Sequence, residues 1–408
     1  MKTIEILAPA GDMTSLQAAL DAGADAVYLG LGAFNMRQLA TRNFTAESLA
    51  EASVRCRAKG VKLYVTLNSL IYEGELEAMR DQLRIIKPYA DAVIIADWAV
   101  IDACRELEIP FHVSTQMSCS NSASAKFLAS QGATRIVLAR ECTLEEVKLI
   151  AETAPVEIET FVHGAICVAV SGRCLLSHHA YGYSASRGEC HQPCRRRYLI
   201  KEISEGDGCN AEYEVEPHTV LSARDLCSLP FVDKLMDAGI VSFKIEGRAR
   251  NPEYVKAVVA AYKEAVAAVN ANAFTPELSD ELVARCAKVY HRQFGVGLFH
   301  GRPGTEQITG DDLDENQATN KKRHVGIVMH YYPKAQIAQV RIQDNPIKPG
   351  DSISIHGPST GVLDLVVESL RRDEEVVTLA ERGKWVTFPC PTLVRPNDKV
   401  FIVEPVVF

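Results

Sequence analysis

The sequence predicts an α/β protein built on a (β/α)8, TIM-like barrel with a cysteine-rich insertion, plus a small C-terminal all-β barrel. Three observations predict it. Short apolar runs alternate with amphipathic stretches from residue 4 to residue 245, the pattern of parallel strands joined by helices. Four cysteines fall within one loop-rich segment, 159–198. From about residue 322 the hydrophobic period shortens to two, with strand-length runs separated by turn residues.

The first apolar run, IEILA at 4–8, ends at Pro9, Ala10 and Gly11, and a helical pattern follows over 14–22. Further strand-like runs lie at 26–29, 62–67, 92–96, 111–114, 135–138, 157–162 and 242–245, with amphipathic stretches such as 46–58, 76–86 and 144–151 among them. An open doubly wound sheet is the structural alternative, but no glycine-rich dinucleotide fingerprint follows the first run. Between the seventh and eighth runs sits an insertion at about 164–240, far longer than an ordinary barrel loop. It is expected to overhang the barrel mouth. The barrel is assigned to 1–272, a helical segment and linker to 273–321, and the β domain to 322–408.

Residues just beyond each strand of such a barrel collect on one face, where barrel enzymes keep their sites. That rule gathers Gly11, Asp12, Gly30, Asn68, Asp97, Gln116, Arg140, Glu141, His163, Lys244, Glu246 and Arg248 into one polar ring. Asp12 and Asp97 are equally explained as helix caps, and Glu141 as a solvated loop residue. The KIEGR run at 244–248 has the plain reading of an ion-pair network closing the mouth. Taken together, however, so many charges would be costly if buried unpaired. Lys244, Arg140, Arg248 and His163 suit the clamping of an anionic small molecule, and Glu246 suits orienting a cation or moving a proton.

Composition is ordinary for a globular protein, 47% hydrophobic and 24% charged over 408 residues. No apolar run reaches membrane-spanning length. The start, MKTIEILAPAG, lacks the pattern of an export signal, so a soluble, cytoplasmic protein with reduced thiols is expected. A net charge of −8 argues against a wholly basic nucleic-acid coat while permitting a local strip such as Arg195, Arg196 and Arg197.

Cys167, Cys174, Cys190 and Cys194 have three readings: disulfides, structural zinc or an iron–sulfur cluster. A reducing compartment disfavours disulfides. Zinc usually takes two tight pairs, whereas here a wide pair precedes a CxxxC pair, so a 4Fe-4S cluster is favoured and zinc stays the alternative. Proteolysis has no visible machinery, since neither a GxSxG elbow nor an HExxH helix occurs.

The segments FVHGAICVAVSGRCLLS, GECHQPCRRRY and SFKIEGRARNPEYV, with LAPAGD and GADAVYLGL near the start, closely resemble the U-32 (collagenase-like) peptidase family. The resemblance covers the barrel and extends to the β domain that some members carry. It implies either the proteolysis of the family name or oxygen-independent hydroxylation supported by an iron–sulfur cluster. The branch resembled includes enzymes hydroxylating the tRNA wobble uridine with prephenate as oxygen source, a ribosomal-RNA cytidine hydroxylase, and a pair whose two homologous subunits are both required. On that likeness Cys167, Cys174, Cys190 and Cys194 correspond to the cluster ligands, with Cys227 in SARDLC as an alternative fourth. A tRNA substrate would add phosphate contacts, for which Arg195 and Arg196 are the candidates, and Asn68 and Gln116 join Arg140 as candidate substrate contacts.

Overall fold

The computed structural model describes residues 3–39, 43–198, 221–301, 316–373 and 375–406. Eight parallel strands form the barrel: β1 (Glu5–Pro9), β2 (Ala26–Gly30), β3 (Lys62–Leu67), β4 (Ala92–Ile95), β5 (Phe111–Val113), β6 (Arg135–Val137), β7 (Glu157–Ala165) and, after the intervening β8 (Asp225–Cys227), β9 (Ser242–Ile245). Pairing runs in order from β1 to β7, and β9 closes the ring between β7 and β1.

Helices follow the strands: α1 (Met13–Asp21), α2 (Ala46–Ala58), α3 (Leu76–Ile86), α4 (Trp98–Glu106), α5 (Ser122–Ser130), α6 (Leu144–Thr153), α7 (Leu176–Tyr181) in the insertion, α8 (Val232–Asp237), α9 (Pro252–Asn270) and α10 (Pro276–Ala287). Side chains set their starts. Asp12 caps α1 through the Ser15 amide at 2.8 Å, and Asp97 caps α4 through the Ala99 amide at 2.9 Å. The plain reading of both aspartates therefore holds.

The barrel interior is only partly apolar. Leu7, Ala26, Tyr28, Tyr64, Ala92 and Ile94 pack together inside it. Beside them Arg135 on β6 pairs with Glu5, Glu157 and Glu159, and Glu159 on β7 also holds Lys244 of β9 at 3.0 Å. Alternation along the strands turns all these side chains inward. The larger apolar core lies outside the strands, under the helices.

The insertion doubles back on the barrel. Its exit strand β8 pairs antiparallel with the extended end of β7, His163 opposite Cys227, and β10 (Phe294–Gly295) adds to β8. Gly164 makes this packing possible. Its φ of +103° is left-handed, and a Cβ there would stand 2.5 Å from the Glu246 carbonyl oxygen. Part of the predicted insertion (199–220) and part of the predicted linker (302–315) lie outside the described residues.

The C-terminal domain is an eight-stranded antiparallel sheet of β11 (Asn320–Tyr332), β12 (Ile337–Ile342), β13 (Ser352–Gly357), β14 (Gly361–Val366), β15 (Leu370–Arg372), β16 (Glu375–Val377), β17 (Trp385–Pro389) and β18 (Lys399–Pro405). It has its own core and rests on α1, α2 and α9. Lys256 bonds Asp364 at 2.7 Å, Lys322 bonds Glu253 at 2.6 Å, and Arg55 donates to the Pro358 carbonyl at 2.6 Å. Among the described residues, no helix is long and apolar enough to cross a membrane.

Candidate functional site: an arginine-rich barrel mouth beneath a cysteine loop

At the C-terminal ends of the strands lies a narrow cavity of about 50 Å³. Four cations line it, Arg37, Arg140, Lys244 and Arg248, against one carboxylate, Glu246. Tyr28, Thr66, Asn68, Ser114, Gln116 and Phe161 complete most of its wall. Each charged group is held. Arg37, from the loop after β2, pairs with Glu246. Arg248 donates to Thr66 Oγ1 at 3.0 Å and to Asn35 Oδ1 at 3.2 Å. Arg140 donates to the Ala165 carbonyl at 2.6 Å and lies 4.0 Å over the Phe161 ring, while its buried Nε has no partner among the described residues. Asn68 accepts from the Met36 amide at 3.2 Å and donates to Ser114 Oγ at 3.3 Å, fixing the loop that carries Arg37.

Burial and charge oppose one another here. Burial alone would raise the Glu246 carboxyl, but Arg37 and Arg140 hold it below its ordinary value. Glu159 behaves likewise between Lys244 and Arg135. Burial pushes Lys244 down despite Glu159, and pushes Arg248 down to about 10. Cations outnumber carboxylates in the lining, so an incoming anion is favoured over any other ligand charge.

The cysteine loop packs over this mouth. Arg187 bonds Glu75 at 2.8 Å, the Leu70 amide donates to the Ser186 carbonyl at 3.2 Å, and Arg173 donates to the Gln116 carbonyl at 3.4 Å. Gly188 fits so closely that a Cβ would stand 2.0 Å from the Asn35 carbonyl oxygen. Burial raises the Cys194 thiol, Arg195 opposes this, and Cys190, Cys167 and Cys174 add to the rise, so the four thiols share one neighbourhood. The Gln192 amide donates to Cys190 Sγ at 3.4 Å and the Ser177 hydroxyl at 3.9 Å. Among the described residues, no three His, Cys, Asp or Glu side chains are drawn together tightly enough to chelate a single ion. Cys227 belongs to another environment. It is buried, pushed up to about 12, and its neighbours are Tyr262 and Cys286 under α9 and α10.

Of the predicted site residues, Asn68, Gln116, Arg140, Lys244, Glu246 and Arg248 all line the mouth cavity. Two expectations are corrected. His163 does not face the cavity: β7 carries a bulge between Phe161 and His163 in its register with β9, which turns the ring outward against Tyr254, Tyr262 and Phe294. Burial, with His291 and Arg250 nearby, drops it to about 3, so it is a neutral packed residue and no clamp. Arg195 does not stand exposed in a solvated basic strip either. It is buried and donates to the carbonyls of Ile166 and Ala223 and to Ser222 Oγ, stapling the two ends of the insertion. Arg196 is exposed, 5.1 Å over the Tyr181 ring.

Sequence reasoning missed Arg37, Tyr28, Thr66 and Glu159. Tyr28, Thr66 and Glu159 lie within strands rather than beyond them, and Arg37 sits in an irregular loop. The signal available for Glu159 was an acidic residue in an otherwise apolar run, ETFV, which demands a buried cation.

Fold and site together define a TIM-like barrel protein whose arginine-lined mouth packs against a loop of four thiols. A family model, peptidase family U32, matches residues 11–309, and the chain belongs to that family. It is 38% identical to a collagenase of Porphyromonas gingivalis over 97% of both chains. It is 34% identical to tRNA hydroxylation protein P1 of Bacillus subtilis over 90% of this chain and 87% of that one. A third relative, the 23S rRNA 5-hydroxycytidine C2501 synthase of Escherichia coli, is 38% identical over 65% of this chain but only 40% of its own length. Among solved structures, the U32 peptidase Mk0906 aligns with a TM-score of 0.36 at 16% identity, over 46% of this chain and 78% of that one.

Proposed function

We propose that the protein is an iron–sulfur-dependent, oxygen-independent RNA hydroxylase, forming 5-hydroxyuridine at the tRNA wobble position with prephenate as oxygen donor. The observation that carries this reading is the juxtaposition of four thiols with an arginine-lined cavity, through a loop that packs directly on the barrel mouth. Relatives named for tRNA hydroxylation and for 23S rRNA 5-hydroxycytidine synthesis support RNA as the substrate class.

The residues present fit a 4Fe-4S cluster. Cys167, Cys174, Cys190 and Cys194 would hold it, and backbone and hydroxyl donors already point at Cys190. Zinc, which takes four sulfur ligands around one ion, is the alternative group for the same thiols. Cys227, turned toward Tyr262, is the weaker fourth ligand. When bound, such a cluster supplies electrons and an iron able to polarise an oxygen.

The chain's own groups then divide the remaining work. Arg37, Arg140 and Arg248 hold the carboxylates of a dianionic donor, with the unpartnered Arg140 Nε as a ready hydrogen-bond donor. Lys244, pushed down by burial, sits where it can give or take a proton. Glu246 holds Arg37 until a donor carboxylate competes for it.

The test is iron and acid-labile sulfide content of protein purified without oxygen, with Ser replacing each of Cys167, Cys174, Cys190, Cys194 and Cys227 in turn. About four irons and four sulfides per chain, lost with the first four substitutions and retained with the fifth, is the expected result. The second assay is tRNA from a deletion strain, which should lack wobble hydroxylation. Zinc alone, or fully modified tRNA, would sink the proposal. Peptidase activity is the second reading, favoured by the collagenase-named relative that matches 97% of both chains. A hydrolysis assay with the purified chain decides it. Need for a homologous partner subunit would show as activity recovered only on mixing the two chains.

A further inference from the structure

A second cavity opens on the outer side of the cysteine loop. It measures about 340 Å³, and Cys190, His191, Gln192 and three arginines, Arg195, Arg196 and Arg292, line it. No carboxylate among the described residues contributes to its wall. Arg292 is unusual. Its side chain is 10% exposed and donates to Gln192 Oε1 at 3.4 Å, its nearest carboxylate among the described residues, Asp225, is 3.7 Å away and also bonded by Arg250 at 3.1 Å, and its Nε has no hydrogen-bond partner among the described residues. Burial and then the charge of Arg195 both push Arg292 below its ordinary value. Two buried guanidiniums in each other's field, with a donor to spare, lower their energy when an anion enters.

The surroundings specify which anion. Arg196 lies 5.1 Å over the ring of Tyr181, and the rings of Tyr181 and Tyr183 stand 5.4 and 4.7 Å from that of His191. Both tyrosines are exposed, 37% and 44%. A cationic pocket flanked by exposed aromatic rings suits a single-stranded nucleic acid, phosphate in the pocket and base on the rings. We propose that this cavity receives a backbone phosphate of single-stranded RNA, with the adjoining base stacked on Tyr181 and Tyr183. The inference rests on the RNA reading above and adds the contact that would bring a nucleotide against the Cys190 side of the loop.

The experiment is fluorescence anisotropy with a labelled anticodon stem-loop RNA, comparing the full chain with Arg196→Ala and Arg292→Gln across a salt series. Thermal melting checks that each variant folds. Arg196 is exposed, so its variant keeps the test valid even if the other does not fold. Each substitution should weaken binding roughly 10-fold, and each should make the log–log salt slope shallower by about 0.7. Equal affinity and slope in a folded Arg196→Ala variant would overturn the pocket while leaving the RNA reading intact. No RNA binding by the parent, but binding of UMP that Arg196→Ala weakens, would overturn the RNA reading and leave a nucleotide-phosphate site. Failure of RNA, UMP and inorganic phosphate alike to bind would overturn both.

Discussion

Replacing Glu159 by Gln isolates the charge network at the centre of the barrel. Glu159 is fully buried, its Oε1 accepts from Lys244 Nζ at 3.0 Å and its Oε2 lies 3.2 Å from Arg135. Arg135 keeps Glu5 and Glu157 in the variant, whereas Lys244 has no second carboxylate among the described residues. Breaking one half of a buried pair costs about 3–5 kcal/mol. A separate route gives the same size: Lys244 can shed its proton, which at pH 7 costs about 1.4 kcal/mol per unit below an ordinary lysine value of ~10.4, or about 5 kcal/mol in all. The second route has a signature. With folded Lys244 neutral and unfolded Lys244 charged, the unfolded chain carries one more proton, so the variant gains about 1.4 kcal/mol of stability per pH unit relative to the parent. Urea unfolding between pH 6 and 8 measures this. The double variant Glu159→Gln/Lys244→Met should recover most of the loss, since no charge is left stranded. A penalty under about 1 kcal/mol, or one that ignores pH and is not relieved in the double variant, would refute the reasoning.

Other expectations follow from the same geometry. Arg37→Ala removes a charge-assisted contact from the mouth cavity and should weaken prephenate binding by about 10- to 150-fold in calorimetry; unchanged affinity would remove Arg37 from the anion site. His163, at about 3 when folded against an ordinary 6.5, contributes stability that is complete above pH 6.5 and is lost as pH falls toward 3. That loss is about 2 kcal/mol at pH 5, so a His163→Phe variant should lose less stability than the parent between pH 7 and pH 5 in urea titrations. Gly164→Ala forces a side chain into left-handed backbone and against the Glu246 carbonyl oxygen, and should cost about 2–4 kcal/mol, visible as a lowered melting temperature.

The eight barrel strands were legible because each is a short apolar run bounded by turn residues, and 62–67 and 242–245 match β3 and β9 residue for residue. Strand-end logic found Lys244, Glu246, Arg248, Arg140, Asn68 and Gln116 because position after a strand fixes position on the mouth. It failed at His163, where one extra residue in β7 reverses the facing of everything beyond it, a displacement no hydrophobic pattern marks. Charge patterning failed at Arg195, whose neighbours in the RRR run are exposed while it turns inward to backbone carbonyls. Strands β8 and β10 were invisible at three and two residues, too short for any period to show. Arg37 owes its place to the pairing of Asn68 with Met36, a contact between loops far apart in sequence.

The ring is closed by a strand that is synthesised late. β9 joins Glu5 to Ser242, and the cysteine loop lies between them in the chain. At ordinary translation rates of about 5–20 residues per second, the ~75 residues separating Cys167 from Ser242 take roughly 4–15 seconds to appear. During that interval the first thiols have left the ribosome while β1 and β7 remain open edges. Nascent chains therefore carry the cysteine loop beside an unfinished sheet, and closure of the barrel waits on the arrival of a single four-residue strand.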